Sequence, residues 1–391
     1  MILIDAPYVS DFLKTTIREH DLPVVGTKAA AAFGFDAGPQ VISEDEAVAR
    51  VRAAVHPRLY TNSENAIGWI ARHLAFTDLP EKIDLFKDKL RFRRLTQALY
   101  PDFFFREVRR EDLDDLDATT LPAPFIIKPA VGFFSMGVYK VADAAAWPET
   151  LAAIHAEMDA LRGLYPPEVM DAASFIIEQN IAGEEYAFDA WFDGAGRPHI
   201  AGVYKHLFSS DADTSDRVYV TSRAIVEANL ARFTDFLAEI GRLTGVQDFP
   251  LHTEVRITPD GDLLPIEINP MRFGGWCTTA DMTAYAYGLN PYVAYLHEQP
   301  PDWPALLADK GDEVYAMIVL DNSAGVPGAD IAAFDYQRVA AGFDHVLDVR
   351  AIDWRAWPVF GFLFVRSSGE DAPELRRILA SDLREFVTPL S

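Results

Sequence analysis

Glu254, Glu267 and Asn269 lie in a segment, His252 to Asn269, whose pattern reads as a β-hairpin carrying all three on one face. Asp260-Gly261 is a strong two-residue hairpin signal, and the midpoint between the two glutamates falls between those residues. An even-length loop therefore predicts that Glu254 pairs directly with Glu267. Side chains so opposed lie roughly 5 Å apart at Cβ, and like charges there repel. By alternation, His252, Glu254 and Arg256 share a face with Glu267 and Asn269, while Val255, Ile257, Leu264, Ile266 and Ile268 take the other. Magnesium would relieve the repulsion, because it takes oxygen ligands and is usually held by one or two carboxylates plus substrate phosphates. The hairpin alone fits a metal-bound phosphate substrate. It fits equally the polar outer face of any half-buried antiparallel pair.

Further residues could serve the same chemistry. Lys128 ends an apolar strand and precedes Pro129 and the loop Ala130 to Gly137, whose glycines and Ser135 can present backbone N–H groups to a phosphate. It is neither a Walker A loop nor a nucleophile elbow, and a plain hairpin turn with a surface lysine accounts for it as well. Lys89, Arg93 and Arg94 add positive charge upstream, or form a solvated helix face. Glu178 to Glu185 joins two strands through a glycine, where backbone groups could meet an adenine edge and a carboxylate a ribose hydroxyl.

Elements to position these residues follow from periodicity. Met1 to about Asp84 alternates short apolar runs with helical patterns: a strand at Ile2-Leu3-Ile4, a helix capped by Ser10, then Val24-Val25. Strands are expected at Phe125 to Lys128, Val138 to Val141, Ser174 to Glu178, Glu185 to Phe192, Ile200 to Tyr204 and Val218 to Thr221. Leu230, Phe233, Leu237 and Ile240 mark a long helix before the hairpin. Clustered prolines between Gln299 and Pro304 suggest a boundary. Beyond it, strands near Val314 to Leu320 and Phe360 to Val365 precede a helix from Pro373 to about Phe386.

Composition narrows the partners. With 391 residues the chain suggests two to four lobes. A net charge of −24, from 59 acidic against 35 basic residues, argues against nucleic acid or an anionic membrane. It leaves room for one nucleotide, which needs only a few local cations. The single cysteine, Cys277, excludes an intramolecular disulfide and a multi-cysteine metal site. Without a signal-peptide pattern or a membrane-length apolar run, the expectation is a cytoplasmic protein.

Taken in order, these pieces resemble the ATP-grasp superfamily over roughly residues 87 to 292, with Glu-x-Asn-Pro at 267 to 270 the most specific motif. The resemblance implies an α/β protein of α+β subdomains that holds ATP between them with two magnesium ions, for which manganese can substitute. It divides the chain into a small N-terminal α/β lobe at 1–86, an ATP-grasp domain at 87–298 whose smaller subdomain spans about 122–184, and a C-terminal α+β lobe at 299–391. It assigns Lys89 and Lys128 to the phosphates, Gly132, Ser135 and Gly137 to the covering loop, and Glu178, Gln179 and Ile181 to the adenine hinge. Glu185 falls to the ribose, and Glu254, Glu267 and Asn269 to the metal. Lys205 is placed like a third phosphate-facing lysine, or is a surface lysine. Phe133-Phe134 departs from the small or polar residues usual in that loop.

Arg272, followed by Gly274-Gly275, resembles the arginine that lies beside the acyl group; with Lys128 it is assigned to catalysis. Trp276 and Cys277 could line the acceptor pocket, or Cys277 could be a buried filler. His252 could touch a phosphate or cap the polar face. The implied activity is ATP-dependent joining of a small-molecule carboxylate to an amine, substrates that could be amino acids, through an acylphosphate. Alternatives are a small-molecule kinase and a non-catalytic nucleotide-binding module. A homodimer is compatible with this reading. Tyr60 to Asn65 and Arg217 to Arg223 could enter the acceptor pocket or form surface loops.

Overall fold

Short parallel strands begin the fold, and an eight-stranded sheet carries most of it. The computed structural model describes residues 1–131, 137–161, 171–210, 213 and 215–390, with backbone alone at 160, 161, 171 and 172. In the first lobe Val41–Ile42, Val24–Val25, Ile2–Leu3 and Tyr60–Thr61 lie side by side in that order, all parallel. Ser10 caps the helix Asp11–Glu19, its hydroxyl accepting from the Leu13 amide at 3.0 Å, and Leu13 and Ile17 enter the core. Tyr60–Thr61 is thus a strand, and it delivers residues 62 to 65 toward the centre of the molecule.

A four-stranded sheet follows, ordered Phe105–Arg109, Asp171–Gln179, Phe125–Val131, Tyr139–Val141. The helix Trp147–Leu161 covers it, with Trp147, Ile154 and Met158 buried against Phe125, Ile127 and Phe175. This sheet begins before residue 122, because Phe105–Arg109 pairs antiparallel with Asp171–Gln179.

The large sheet runs Leu263–Pro270, Phe249–Ile257, Glu184–Phe192, Pro198–Leu207, Val218–Thr221, Val314–Asp321, Val359–Ser367, His345–Ala351. Strands from residues 299–391 therefore continue the sheet that carries the hairpin; hydrogen bonding crosses the proline-rich boundary without interruption. One face packs on the helix Arg223–Thr244, which Ser222 caps and Gly245 ends in the left-handed conformation (φ +62°). There Phe188 stacks on Phe233 with ring centroids 4.5 Å apart.

The hairpin forms by a different route from the one the turn residues suggest. Glu254 does oppose Glu267, but Ile257 opposes Leu263, so the loop is odd in length and Thr258 accepts from Asp262 and Gly261 across it. A bulge near Ile266 restores the phase, since Val255 faces Pro265 while Glu254 faces Glu267. As a consequence Leu264 pairs with Arg256 and joins the polar face rather than the apolar one.

The last helix spans Pro373–Ala380 and stops short of Phe386. Ser381 and Asp382 side chains accept the Leu383 and Arg384 amides at 3.0 Å each, an alternative to helical bonding. Leu383 turns left-handed at φ +59°.

Candidate active site

Register alone puts the polar residues of three strands on one face of the large sheet: Glu185 opposes Arg256, Ala187 opposes Glu254, and Asp189 opposes His252. Glu254 and Glu267 face each other across the hairpin, and the Asn269 amide donates to Glu267 Oε1 at 3.0 Å. Lys89, at the start of the helix Lys89–Thr96, meets Glu267 Oε2 at 3.0 Å. Burial and then the neighbouring Glu267 charge push the Glu254 carboxyl above the usual range. Burial works the same way on Glu267, but Lys89 and Lys128 outweigh it and hold that carboxyl far below the usual range. Two opposed oxygen donors with an amide beside them suit a hard divalent cation, and Glu254, whose ion-pair partner among the described residues is His252 Nε2 at 3.6 Å, gains most from one.

His252 is buried between Asp189, at 2.8 Å from Nδ1, and Glu254. Burial disfavours its charged form, yet hydrogen bonding to these carboxylates raises its pKa to about 9. Asp189, fully buried, also accepts from the Gly274 amide at 3.0 Å and the Thr279 hydroxyl at 2.5 Å, so it ties the sheet to the Arg272 segment.

From the small sheet, Lys128 reaches Glu178 at 2.9 Å, and Arg93 donates to the other oxygen of the same carboxylate. Arg93 also donates to the Pro265 carbonyl at 2.7 Å and the Ile266 carbonyl at 3.4 Å, gripping the hairpin at its bulge. Burial alone would raise the Glu178 pKa; Arg93 and Lys128 reverse the sign and bring it to about 2. Glu178 is therefore a buried counter-ion that holds a lysine in place. Gln179 takes the Phe104 amide on its side-chain oxygen at 2.8 Å, and the Ile181 carbonyl accepts from Arg256 at 2.7 Å. Arg256 also holds Glu185 at 2.9 Å, opposite His206 at 2.9 Å. Between these strands Gly183 sits at φ +123°, and a Cβ there would meet the Ile257 carbonyl oxygen at 2.1 Å, so only glycine lets the connection lie against the hairpin.

Lys205 does not join this group. Its partner across the sheet is Tyr186, which lies out of phase with Glu185, and it pairs instead with Glu184 at 2.7 Å and Glu370 at 3.0 Å. His206, one residue on, faces the site. Gly137 is at φ +71° and donates its amide to Glu157 at 3.0 Å; Gly132 and Ser135 lie outside the described residues.

Arg272 is held by Glu64, which accepts from its Nε at 3.1 Å and from Nη2, while Nη1 donates to the Phe273 carbonyl at 2.9 Å. Lys87 completes the cluster on the second oxygen of Glu64. Five N–H groups belong to a guanidinium, so beyond these bonds each Nη has a second N–H, a donor of the kind that suits a carboxylate or phosphate. Asp189 was not expected as a site residue; Arg93 was expected only as added positive charge or a solvated helix face, and Glu64 only as part of the segment from Tyr60 to Asn65. For Asp189 a signal existed: it is an acidic residue in phase with Glu185 within an otherwise apolar strand. The pairing of Glu64 with Arg272 could not be read from sequence, since it depends on the first lobe folding against residue 272.

Arg272 opens onto a cavity of about 320 Å³ that Glu254, Glu267, Asn269 and Trp276 also line. Met271, Trp276 and Cys277 all take left-handed backbone conformations (φ +67°, +58° and +57°). Non-glycine residues persist there only where the surroundings over-determine them. The Cys277 side chain is core, not cavity wall: it is buried, and burial and then Asp281 push its thiol to about 11.

Comparison with known proteins bears on the fold. A family model described as an ATP-grasp domain matches residues 121–280. A search by sequence among curated proteins gives no match. Among solved structures, L-amino acid ligase from Bacillus licheniformis is similar with a TM-score of 0.69 at 18% identity, covering 100% of this chain and 98% of that one. Carboxyaminoimidazole ribonucleotide synthase from Aspergillus clavatus, complexed with ATP, gives 0.62 at 11%, covering 98% of each chain. The biotin carboxylase domain of Hydrogenobacter thermophilus 2-oxoglutarate carboxylase, with its MgADP, gives 0.58 at 10%, covering 100% of this chain and 91% of that one. Residues 121–280 thus match an ATP-grasp domain, and the chain as a whole shares the fold of these structures.

Proposed function

We propose that this protein is an ATP-dependent ligase that joins a small-molecule carboxylate to an amine through an acylphosphate, releasing ADP and phosphate. The observation that carries the reading is the meeting of an opposed carboxylate pair, Glu254 and Glu267, with Lys89 and the Lys128–Glu178–Arg93 cluster, beside a cavity that Arg272 enters. Lys89 and Lys128 supply positive charge for the nucleotide phosphates, and Glu185 and the 178–181 connection receive ribose and adenine. Glu254, Glu267 and Asn269 hold magnesium, which when bound withdraws charge from the phosphates. Phosphoryl transfer then rests on positioning and charge stabilisation, with no protein nucleophile.

Arg272 orients the substrate carboxylate by its two remaining N–H groups. That carboxylate attacks the γ-phosphorus and ADP leaves; the amine then displaces phosphate and the amide forms. Amino acids are natural substrates for such a site, having both functional groups. Incubation with ATP, magnesium, hydroxylamine and a panel of acids should give a hydroxamate and stoichiometric ADP. A phosphoester from an alcohol, with no hydroxamate from any acid, would instead establish a kinase.

A further inference from the structure

The cavity beside the carboxylates has apolar as well as charged lining. Besides Arg272 and the glutamates, its lining includes Trp276, Met317, Val319, Pro358, Val359 and Phe362, with Asp321 opposite Val359. Most of this wall comes from strands beyond residue 280, where the ATP-grasp match ends. It is nonetheless part of the same sheet face: Tyr219 opposes His206 on one side and Met317 on the other, and Val319 opposes Phe362. Both strands are internal to the sheet, so their side chains are fixed as firmly as the glutamates. Trp276 is held against Phe362 and Trp357, with ring centroids 5.7 and 5.5 Å away.

Charge at the cavity is one-sided. Among its described lining residues, the acidic groups Asp216, Glu254, Glu267 and Asp321 face only Arg272 and His252 as basic groups. Arg217, which pairs with Asp321 at 2.6 Å, is committed elsewhere as well, donating to the Ser381 carbonyl at 2.8 Å. A second carboxylate on the substrate would thus leave water to meet acidic neighbours and an apolar wall, a combination that excludes it. At about 320 Å³ the space suits a small molecule.

Building on the ligase reading, we propose that this wall receives the side chain of the substrate acid, and that the acid carries a single carboxylate and an apolar body of amino-acid size. The C-terminal strands, through Met317, Val319 and Phe362, then determine specificity while the hairpin and small sheet serve the nucleotide.

The test compares acids in the hydroxamate assay as matched pairs: leucine against aspartate, and 4-methylpentanoate against succinate. In each pair kcat/KM for the apolar acid should exceed that for the dicarboxylate by about 100-fold or more, because each apolar group in a fitted pocket discriminates by about 10–200-fold. Met317→Ala should lower kcat/KM for the apolar acids by about 10-fold on the same basis, while the KM for ATP stays within about twofold. Val319→Thr, which keeps shape and adds a hydroxyl, guards against misfolding and should act in the same direction. Apolar acids, but not dicarboxylates, should also raise the thermal midpoint in the presence of magnesium and a non-hydrolysable ATP analogue. Equal use of succinate or aspartate, or variants that slow all acids alike, would overturn the inference and leave the ligase reading standing. A hydroxamate from no acid at all would remove both.

Discussion

The two faces of the eight-stranded sheet are built from alternate residues of the same strands and could hardly differ more. Toward the helix Arg223–Thr244, Phe188, Phe192, Leu251 and Val255 are almost fully buried and apolar. On the reverse, Glu185, Asp189, His252, Glu254, Glu267 and Asn269 crowd together with partners drawn from the small sheet and the first lobe. The first face stabilises by removing apolar area from water, a gain that needs no particular partner. The second concentrates like charges that repel until counter-ions from other elements arrive. In this molecule stability and chemistry are therefore separated by a step of one residue, as Phe188 and Asp189 illustrate.

That contrast can be broken most severely from the apolar side. Phe188→Ala, which removes a fully buried ring stacked on Phe233, should cost about 3–5 kcal/mol in chemical denaturation. Activity per folded molecule should change little. At the margin between the sheets, Glu178→Gln strands Arg93 and Lys128 without their shared carboxylate and should destabilise by about 3–5 kcal/mol.

The same residue carries a pH signature. Its folded pKa, about 2, lies below the ordinary value of 4.5, so its stabilisation is complete above about pH 4.5 and disappears as pH falls through about 2. Denaturation midpoints should therefore decline over that window, and less steeply in Glu178→Gln.

On the polar face the prediction inverts. Glu254→Gln relieves repulsion from Glu267, so the ligand-free thermal midpoint should hold or rise, whereas kcat should drop by about 10²–10³-fold, as for loss of one group aimed at transition-state charge. A fall in both would place Glu254 with the structural residues. The smallest effect is expected at Lys205→Gln. Its partly exposed pairs with Glu184 and Glu370 are worth at most about 1 kcal/mol, and kcat/KM should remain within about twofold if the residue stays on the far side of the sheet during turnover. A large loss of activity would return Lys205 to the phosphate site.

Local pattern made much of this legible. Period-two alternation identified Glu254, Glu267 and Asn269 as one face, and the cap at Ser10 and the spacing of Phe233, Leu237 and Ile240 located helices that the structure contains. The hairpin was found through its turn signal although the loop is odd and a bulge corrects the phase, so the glutamates meet by a mechanism that turn residues do not encode. Lys205 falls out of phase with Glu185 because the strand containing it shifts register between Ile200 and Gly202, and spacing along the chain cannot reveal which face it takes.

What the sequence determined by itself is chemistry of short range: which side chains alternate together, which residues cap and turn, and which acids and bases stand close along the chain. Tertiary structure decided the counter-ions. Glu64 meets Arg272 across 208 residues, Arg93 meets Glu178 across 85, and the apolar wall at Met317 and Phe362 reaches the carboxylates only because distant strands share one sheet. Charge pairing and cavity shape depend on through-space distance, and no spacing along the chain specifies that until the sheets have closed around it.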